Sequence, residues 1–302
     1  MKRNTLNRRA LASAAAAGIA SATLAPWAQA QFPSPGEGTV RDRLWLFANP
    51  INSTFPHTGR RSVMSPAEGA FYMGIPNIIM IQANAGAEAQ HGRFDSPFEQ
   101  YAVALRPLKR VLWSLVGSGG FTTEAERKEG IELVRRTPNF VGVYLDDFFT
   151  TKAEGKRAVL TVEELRGIRE SLRAGGRKLE IHVTFYTTLL RLPLADYLEL
   201  IDGITLWTWK YEDLANLEST MSRAEKVAPH LKKTLGCYLI DFTKKQSVPI
   251  PAMQHQCELG LKFLRERRIE GMVFLNNCVM DIGLPAVEWA RTWIEKVGET
   301  RL

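Results

Sequence analysis

In the stretch VGVYLDDFFTT (141–151) two carboxylates, Asp146 and Asp147, stand side by side at the end of an apolar run. Adjacent like charges repel, and burying an unpaired carboxylate costs several kcal/mol. A doublet in that place suits acid–base or nucleophilic work, for which two carboxyl groups of unequal pKa are the usual equipment. Acids able to complete a pair are Asp241 in TLGCYLIDF (234–242) and Glu212 and Asp213 in WKYEDLAN (209–216). The run LEIHVTFY (179–186) adds His182 and Tyr186, and LWTW (206–209) adds Trp207 and Trp209. An adjacent Asp pair also serves as a cap or loop anchor, and Asp147 by itself fits that plainer role.

Positioning such groups is the task of the elements around them. Strand-like runs occur at 43–49, 77–84, 110–118, 141–148, 179–186, 203–209, 234–242 and 271–277. Each is followed by a segment with helical periodicity and a start signal. These include SPAEGAFYMG, DSPFEQYAVALRPL, TTEAERKEGIELVRR, LPLADYLELI and TVEELRGIRESLRAGG, the last with a Thr161–Glu164 capping box and a glycine stop. Eight strand–helix units in about 260 residues predict an α/β fold of one domain, a (β/α)8 TIM barrel spanning 43–302. An open doubly wound sheet would more often show a glycine-rich phosphate turn after its first strand, and LFANPINST is not one.

In such a barrel the reacting groups lie at the carboxyl ends of the strands. Side-chain alternation then assigns directions. On the fifth strand Leu179, Ile181, Val183 and Phe185 form the helix-facing apolar set, so Glu180, His182, Thr184 and Tyr186 point inward. On the fourth, Gly142, Tyr144, Asp146 and Phe148 point inward, leaving Asp147 on the rim. The same parity turns Trp207 and Trp209 inward, with Gln82 and Asn84 on the second strand and Asn49 on the first. Asp241, Asn276 and Asn277 are rim residues of undetermined direction. The result is an aromatic-walled cup holding a carboxylate and an imidazole. Aromatic faces stack on the C–H faces of sugar rings while Asp, Asn, Gln and His bind hydroxyls, so the expected ligand is an oligo- or polysaccharide.

With YLDDF, LWTW and YLIDF at strand ends, residues 43–300 resemble the (β/α)8 glycoside-hydrolase superfamily. The resemblance implies a catalytic carboxylate at the end of strand four and a partner on strand six or seven, a layout that Asp146 and Asp241 match. Asp147, His182 and Tyr186 would tune the first acid, and Trp207 and Trp209 would form a sugar platform, with Tyr144, Asn49, Gln82 and Asn276 completing the lining. α-Galactosidase-like members use acids after strands four and six, which Asp146 or Asp147 with Asp213 could imitate. The Asn-Glu pair that many families carry after strand four is absent. Of the chitinase-like D-x-x-D-x-D-x-E pattern, Tyr144, Asp146 and Phe148 occupy the last three acidic positions, so the middle acid is kept and the proton-donating Glu is not. A non-catalytic saccharide-binding or scaffold barrel is therefore the alternative to a glycosidase. A metal-dependent hydrolase is a third reading, for which five His in all, only His182 on a strand, is a poor ligand supply. No metal site and no cofactor are expected. His57, Arg60, Arg61, His91 and Arg93 sit in long loops as solvated charge or as a grip for an anionic group.

The chain opens MKRNTLNRRALASAAAAGIASATLAPWAQA, with adjacent Arg8 and Arg9, an alanine-rich run and a small-residue A-Q-A ending at Ala30. It resembles a twin-arginine export signal, which implies engagement of the export machinery, cleavage, and a periplasmic or secreted protein with no membrane association afterwards. The whole chain carries 39 Lys and Arg against 32 Asp and Glu, a net +7. Without the four basic residues of 1–30, 35 face 32, a net of +3, which does not suggest nucleic-acid binding. Residues 31–42, rich in Pro and Gly, read as a flexible leader. Cys237, Cys257 and Cys278 match no zinc spacing and read as buried thiols, with one opportunistic bridge conceivable.

Overall fold

The computed structural model describes residues 30–32, 34, 37–53, 60–82, 92–150 and 157–302. The export-signal segment 1–29 and residues His57, Asn84 and His91 lie outside them. Eight parallel strands close into a barrel: β1 (Leu44–Ala48), β2 (Asn77–Met80), β3 (Arg110–Val116), β4 (Phe140–Leu145), β5 (Glu180–Tyr186), β6 (Gly203–Trp207), β7 (Lys232–Tyr238) and β10 (Gly271–Leu275). β1 pairs with both β2 and β10, which closes the ring. Helices α1 (Pro66–Met73), α2 (Glu99–Ala104), α3 (Glu124–Arg136), α4 (Val162–Arg173), α5 (Ala195–Leu198), α6 (Leu217–Val227), α7 (Ile250–Arg265) and α8 (Pro285–Val297) follow the barrel strands in turn. The fold is the TIM barrel that the strand–helix alternation predicts.

Local chemistry explains the helix starts. Ser65 and Glu68 form a capping box at α1, and Thr161 and Glu164 form the predicted one at α4. α2 stops early, its chain turning at Leu105 just ahead of Arg106 and Pro107, where proline disfavours helical geometry in the residue before it. The run 234–242 is not one strand. β7 ends at Tyr238, and a small antiparallel hairpin follows, β8 (Ile240–Asp241) with β9 (Gln246–Ser247).

The interior is layered. On the floor, His182 Nε2 and Lys232 Nζ meet opposite oxygens of Glu180 at 2.9 and 2.6 Å. The Arg110 guanidinium lies over Trp45 and its Nε donates to Asn77. Phe32, from the Pro- and Gly-rich segment, stacks on both Trp45 and His182 and lies under Lys232 Nζ at 4.3 Å. At mid-height Phe47 meets Tyr144 and Trp207 edge-on across the barrel, and Thr205 bonds Thr234. Outside the staves, Trp113 packs with Phe94 and Phe98 against α2, and Phe149 contacts Phe185 and Tyr197. All three cysteines are buried free thiols.

One inferred direction is corrected, and one inward residue is placed at its height. Phe148 does not enter the cup: it packs on Tyr197 of α5, in the helix layer. β4 ends at Leu145 and Asp147 takes a positive φ of 45°, so the alternation stops before Phe148. His182 faces inward but low, engaged with Glu180 and Phe32, and the residue of β5 that reaches Asp146 is Thr184.

Candidate active site

The carboxyl ends of β4, β5, β6 and β7 bring together Asp146, Asp147, Thr184, Tyr186, Trp207, Trp209 and Tyr238. Asp146 is 5% exposed. Its Oδ1 accepts the Thr184 hydroxyl at 2.6 Å and the Asp147 N–H at 3.0 Å. Thr184 in turn contacts the Tyr144 hydroxyl at 3.1 Å. Asp147 reaches sideways from its left-handed turn: Oδ1 accepts the Tyr186 hydroxyl at 2.5 Å and Oδ2 accepts the Gly119 N–H at 2.7 Å. A β-branched residue would be strained at that φ, whereas Asp tolerates it.

The two acids differ electrostatically. Burial, with the adjacent Asp147 charge second, pushes the Asp146 carboxyl well above the ordinary carboxylate range, against the hydrogen bonds that favour its ionised form. Burial followed by the surrounding negative groups also raises the phenols of Tyr186 and Tyr238, so both remain protonated donors at neutral pH. An acid held protonated beside a rim carboxylate is an arrangement capable of giving a proton to a leaving oxygen.

Above the doublet the aromatic residues form one wall. Trp209, 41% exposed, sits 5.5 Å from Tyr186 and 5.0 Å from Phe242 between ring centroids. Tyr238 lies 4.8 Å from Phe242 and 4.6 Å from Trp207. Trp207 is buried beneath, its ring lying over Gly236, where an added Cβ would come within 2.2 Å of it. Tyr238 and Phe242 were not singled out from sequence, and Thr184 was directed inward but given no role. The signal for Tyr238 was present in the alternation Thr234, Gly236, Tyr238, but a glycine and a threonine hide an inward face behind the more apolar Leu235 and Cys237.

The remaining candidates stand elsewhere. Asp241 Oδ1 accepts the Thr243 N–H, the Thr243 hydroxyl and the Lys244 N–H, at 2.7, 2.6 and 2.8 Å, and so braces the β8–β9 turn. Burial raises its pKa, but those donors prevail and hold it below the usual value. Among the described residues no hydrogen bond joins it to the Asp146–Asp147 doublet. Glu212 pairs with Lys244 beside Tyr211. Asn49, Asn276 and Asn277 bond one another and the Ile81 and Met64 carbonyls, tying the ends of β1, β2 and β10 together. Gln82 lies two residues beyond the end of β2, against Gly117. Arg93 pairs with Glu126 over Phe121, Arg60 donates to the Ile282 carbonyl, and Arg61 is exposed. Among the described residues no three His, Cys, Asp or Glu side chains gather as a metal-holding group, and no helix is long and apolar enough to cross a membrane.

This barrel superposes on solved structures of low sequence identity. The catalytic domain of a hyperthermophilic chitinase from Pyrococcus furiosus matches with a TM-score of 0.56 at 11% identity, over 90% of this chain and 99% of that one. The spore cortex-lytic enzyme SleL of Bacillus megaterium QM B1551 matches with 0.52 at 11%, over 89% and 77%. A xylanase-A-amylase inhibitor protein, XAIP-III, matches with 0.54 at 11%, over 84% and 98%. What these proteins share with this chain is the closed (β/α)8 barrel. At these identities the likeness is one of fold alone. No protein-family model matches the chain, and no curated protein matches it.

Proposed function

We propose that the chain is an exported carbohydrate-active barrel that binds an oligo- or polysaccharide across Trp209, Tyr238 and Tyr186 and hydrolyses a glycosidic bond at the Asp146–Asp147 doublet. The observation that carries the proposal is the buried Asp146, beside Asp147, at strand ends shared with an aromatic wall from which Trp209 is exposed. Asp146 is assigned as proton donor. Asp147, oriented by Tyr186 and Gly119, is its partner. The engagement of Asp241 in the hairpin turn argues against that residue as the second acid. Glycosidase chemistry needs one acid and one base or nucleophile on opposite sides of the scissile bond, so a doublet demands that the sugar lie between Asp146 and Asp147. Export through the twin-arginine-like segment 1–30 would place the protein in the periplasm or outside the cell.

The second reading is a saccharide-binding barrel without turnover. It is favoured by Phe148, which occupies the place of the proton-donating Glu in the chitinase-like pattern and is buried in the helix layer. Hydrolysis and binding of a glycan panel by the wild type and Asp146→Asn separate the two. The enzymatic reading predicts turnover that falls at least about 100-fold in the variant with binding retained. Binding with no turnover in the wild type establishes the second reading, and no glycan binding at all rejects both.

A further inference from the structure

Among the described residues no Lys, Arg or His forms an ion pair with Asp146 or Asp147. Lys244 is paired with Glu212, and Arg127 of α3 with Glu164, among the described residues. Asp146 spends only Oδ1 on its two hydrogen bonds, and each oxygen of Asp147 accepts one, so further donors can be taken by both carboxyls. The wall beside them consists of Tyr186, Trp209, Tyr238 and Phe242 in unbroken ring contact. A ring face attracts a cation through its quadrupole, and a neighbouring carboxylate adds charge-assisted hydrogen bonds. A neutral sugar uses the rings and donates hydroxyl hydrogen bonds to the carboxyl groups, whereas an ammonium adds the stronger charge-assisted ones.

We infer that the saccharide recognised at this mouth bears a protonated free amine, an amino sugar without its N-acyl group, whose ammonium sits over the Trp209–Tyr186 wall and against Asp147. The inference rests on the carbohydrate reading above and narrows it to a substrate class. Asp147 then acts in binding as well as in chemistry.

The test is a glycan array in which each backbone appears twice, once with free amines and once N-acetylated, including glucosamine and galactosamine oligomers. The full chain is probed at neutral pH in low and high salt. The expected result is a preference for the free-amine member of about tenfold or more that shrinks in high salt and vanishes at alkaline pH, where the amine loses its proton. Asp147→Asn, which retains a residue type tolerant of left-handed backbone, is expected to bring the ratio toward one while the barrel still folds, as far-UV circular dichroism checks. Trp209→Ala, at an exposed ring, is expected to weaken both members. Equal binding of the two members by the wild type overturns the ammonium inference and leaves the carbohydrate reading standing. Binding to neither member of any pair overturns both.

Discussion

At the scale of single residues, the site turns on how differently two neighbouring aspartates are treated by their surroundings. Asp146 inherits its direction from the pleat of β4, while Asp147 leaves the pleat and is aimed by Tyr186 and Gly119. The raised pKa of Asp146 has a consequence for stability. A carboxyl that holds its proton more tightly when folded favours the fold at pH below its unfolded value near 4, and that contribution is lost as pH rises through the folded value. The wild-type melting temperature should therefore decline with pH above about 4 more steeply than that of Asp146→Asn, which has no proton to lose; differential scanning calorimetry across pH 4 to 9 measures it. Parallel curves would mean that Asp146 is ionised in the native protein. The direction of Asp146 was legible in sequence because Val141, Val143 and Leu145 mark the helix-facing side without ambiguity. The position of Phe148 was not, since a single left-handed residue cancels the alternation and Asp is only one of several types that can adopt it. His182 was correctly directed inward, but parity gives direction and not height, and Glu180 two residues earlier holds it low in the barrel.

At the scale of elements, the existence of all eight staves followed from the eight apolar runs, and the helix starts from Ser65 and Thr161. What sequence could not resolve was where a run stops being a strand. TLGCYLIDF is apolar throughout, yet the donors that Thr243 and Lys244 offer to Asp241 make a turn that starts a separate hairpin. Packing between β6 and β7 supplies a sharper test. Trp207 fits because Gly236 lacks a Cβ, and a methyl there would approach the rigid indole to 2.2 Å. Gly236→Ala is expected to destabilise the protein by about 2 kcal/mol or more through displacement of the ring, and to weaken saccharide binding by moving Tyr238, whose ring centroid lies 4.6 Å from that of the same indole. Chemical denaturation gives the first quantity and a glycan titration the second. An intact denaturation midpoint would show that the indole moves without cost.

At the scale of the whole molecule, the barrel has two polar ends of opposite temperament. At the floor, burial raises the Glu180 pKa, but the His182 hydrogen bond and the Lys232 charge outweigh it and hold it at about 2. A depressed carboxyl stabilises the fold above its unfolded value near 4.5 and loses that contribution as pH falls toward 2, the reverse of Asp146. Glu180→Gln is expected to cost about 3 kcal/mol near neutral pH, because the neutral amide offers only one acceptor oxygen to Lys232 and His182 and no charge, and to flatten the acid side of the stability curve. Urea titrations between pH 2 and 7 check both, and an unaltered acid limb would place the acid-sensitive group elsewhere. Between these ends runs the seam where the first and last staves meet, and there the fastening is made of amides: Asn49, Asn276 and Asn277 bind one another and nearby carbonyls. None of these groups gains or loses a proton across biological acidity. The ring can thus remain latched while its upper and lower rims change charge, which leaves the protein free to retune the chemistry at either rim without reopening its circumference.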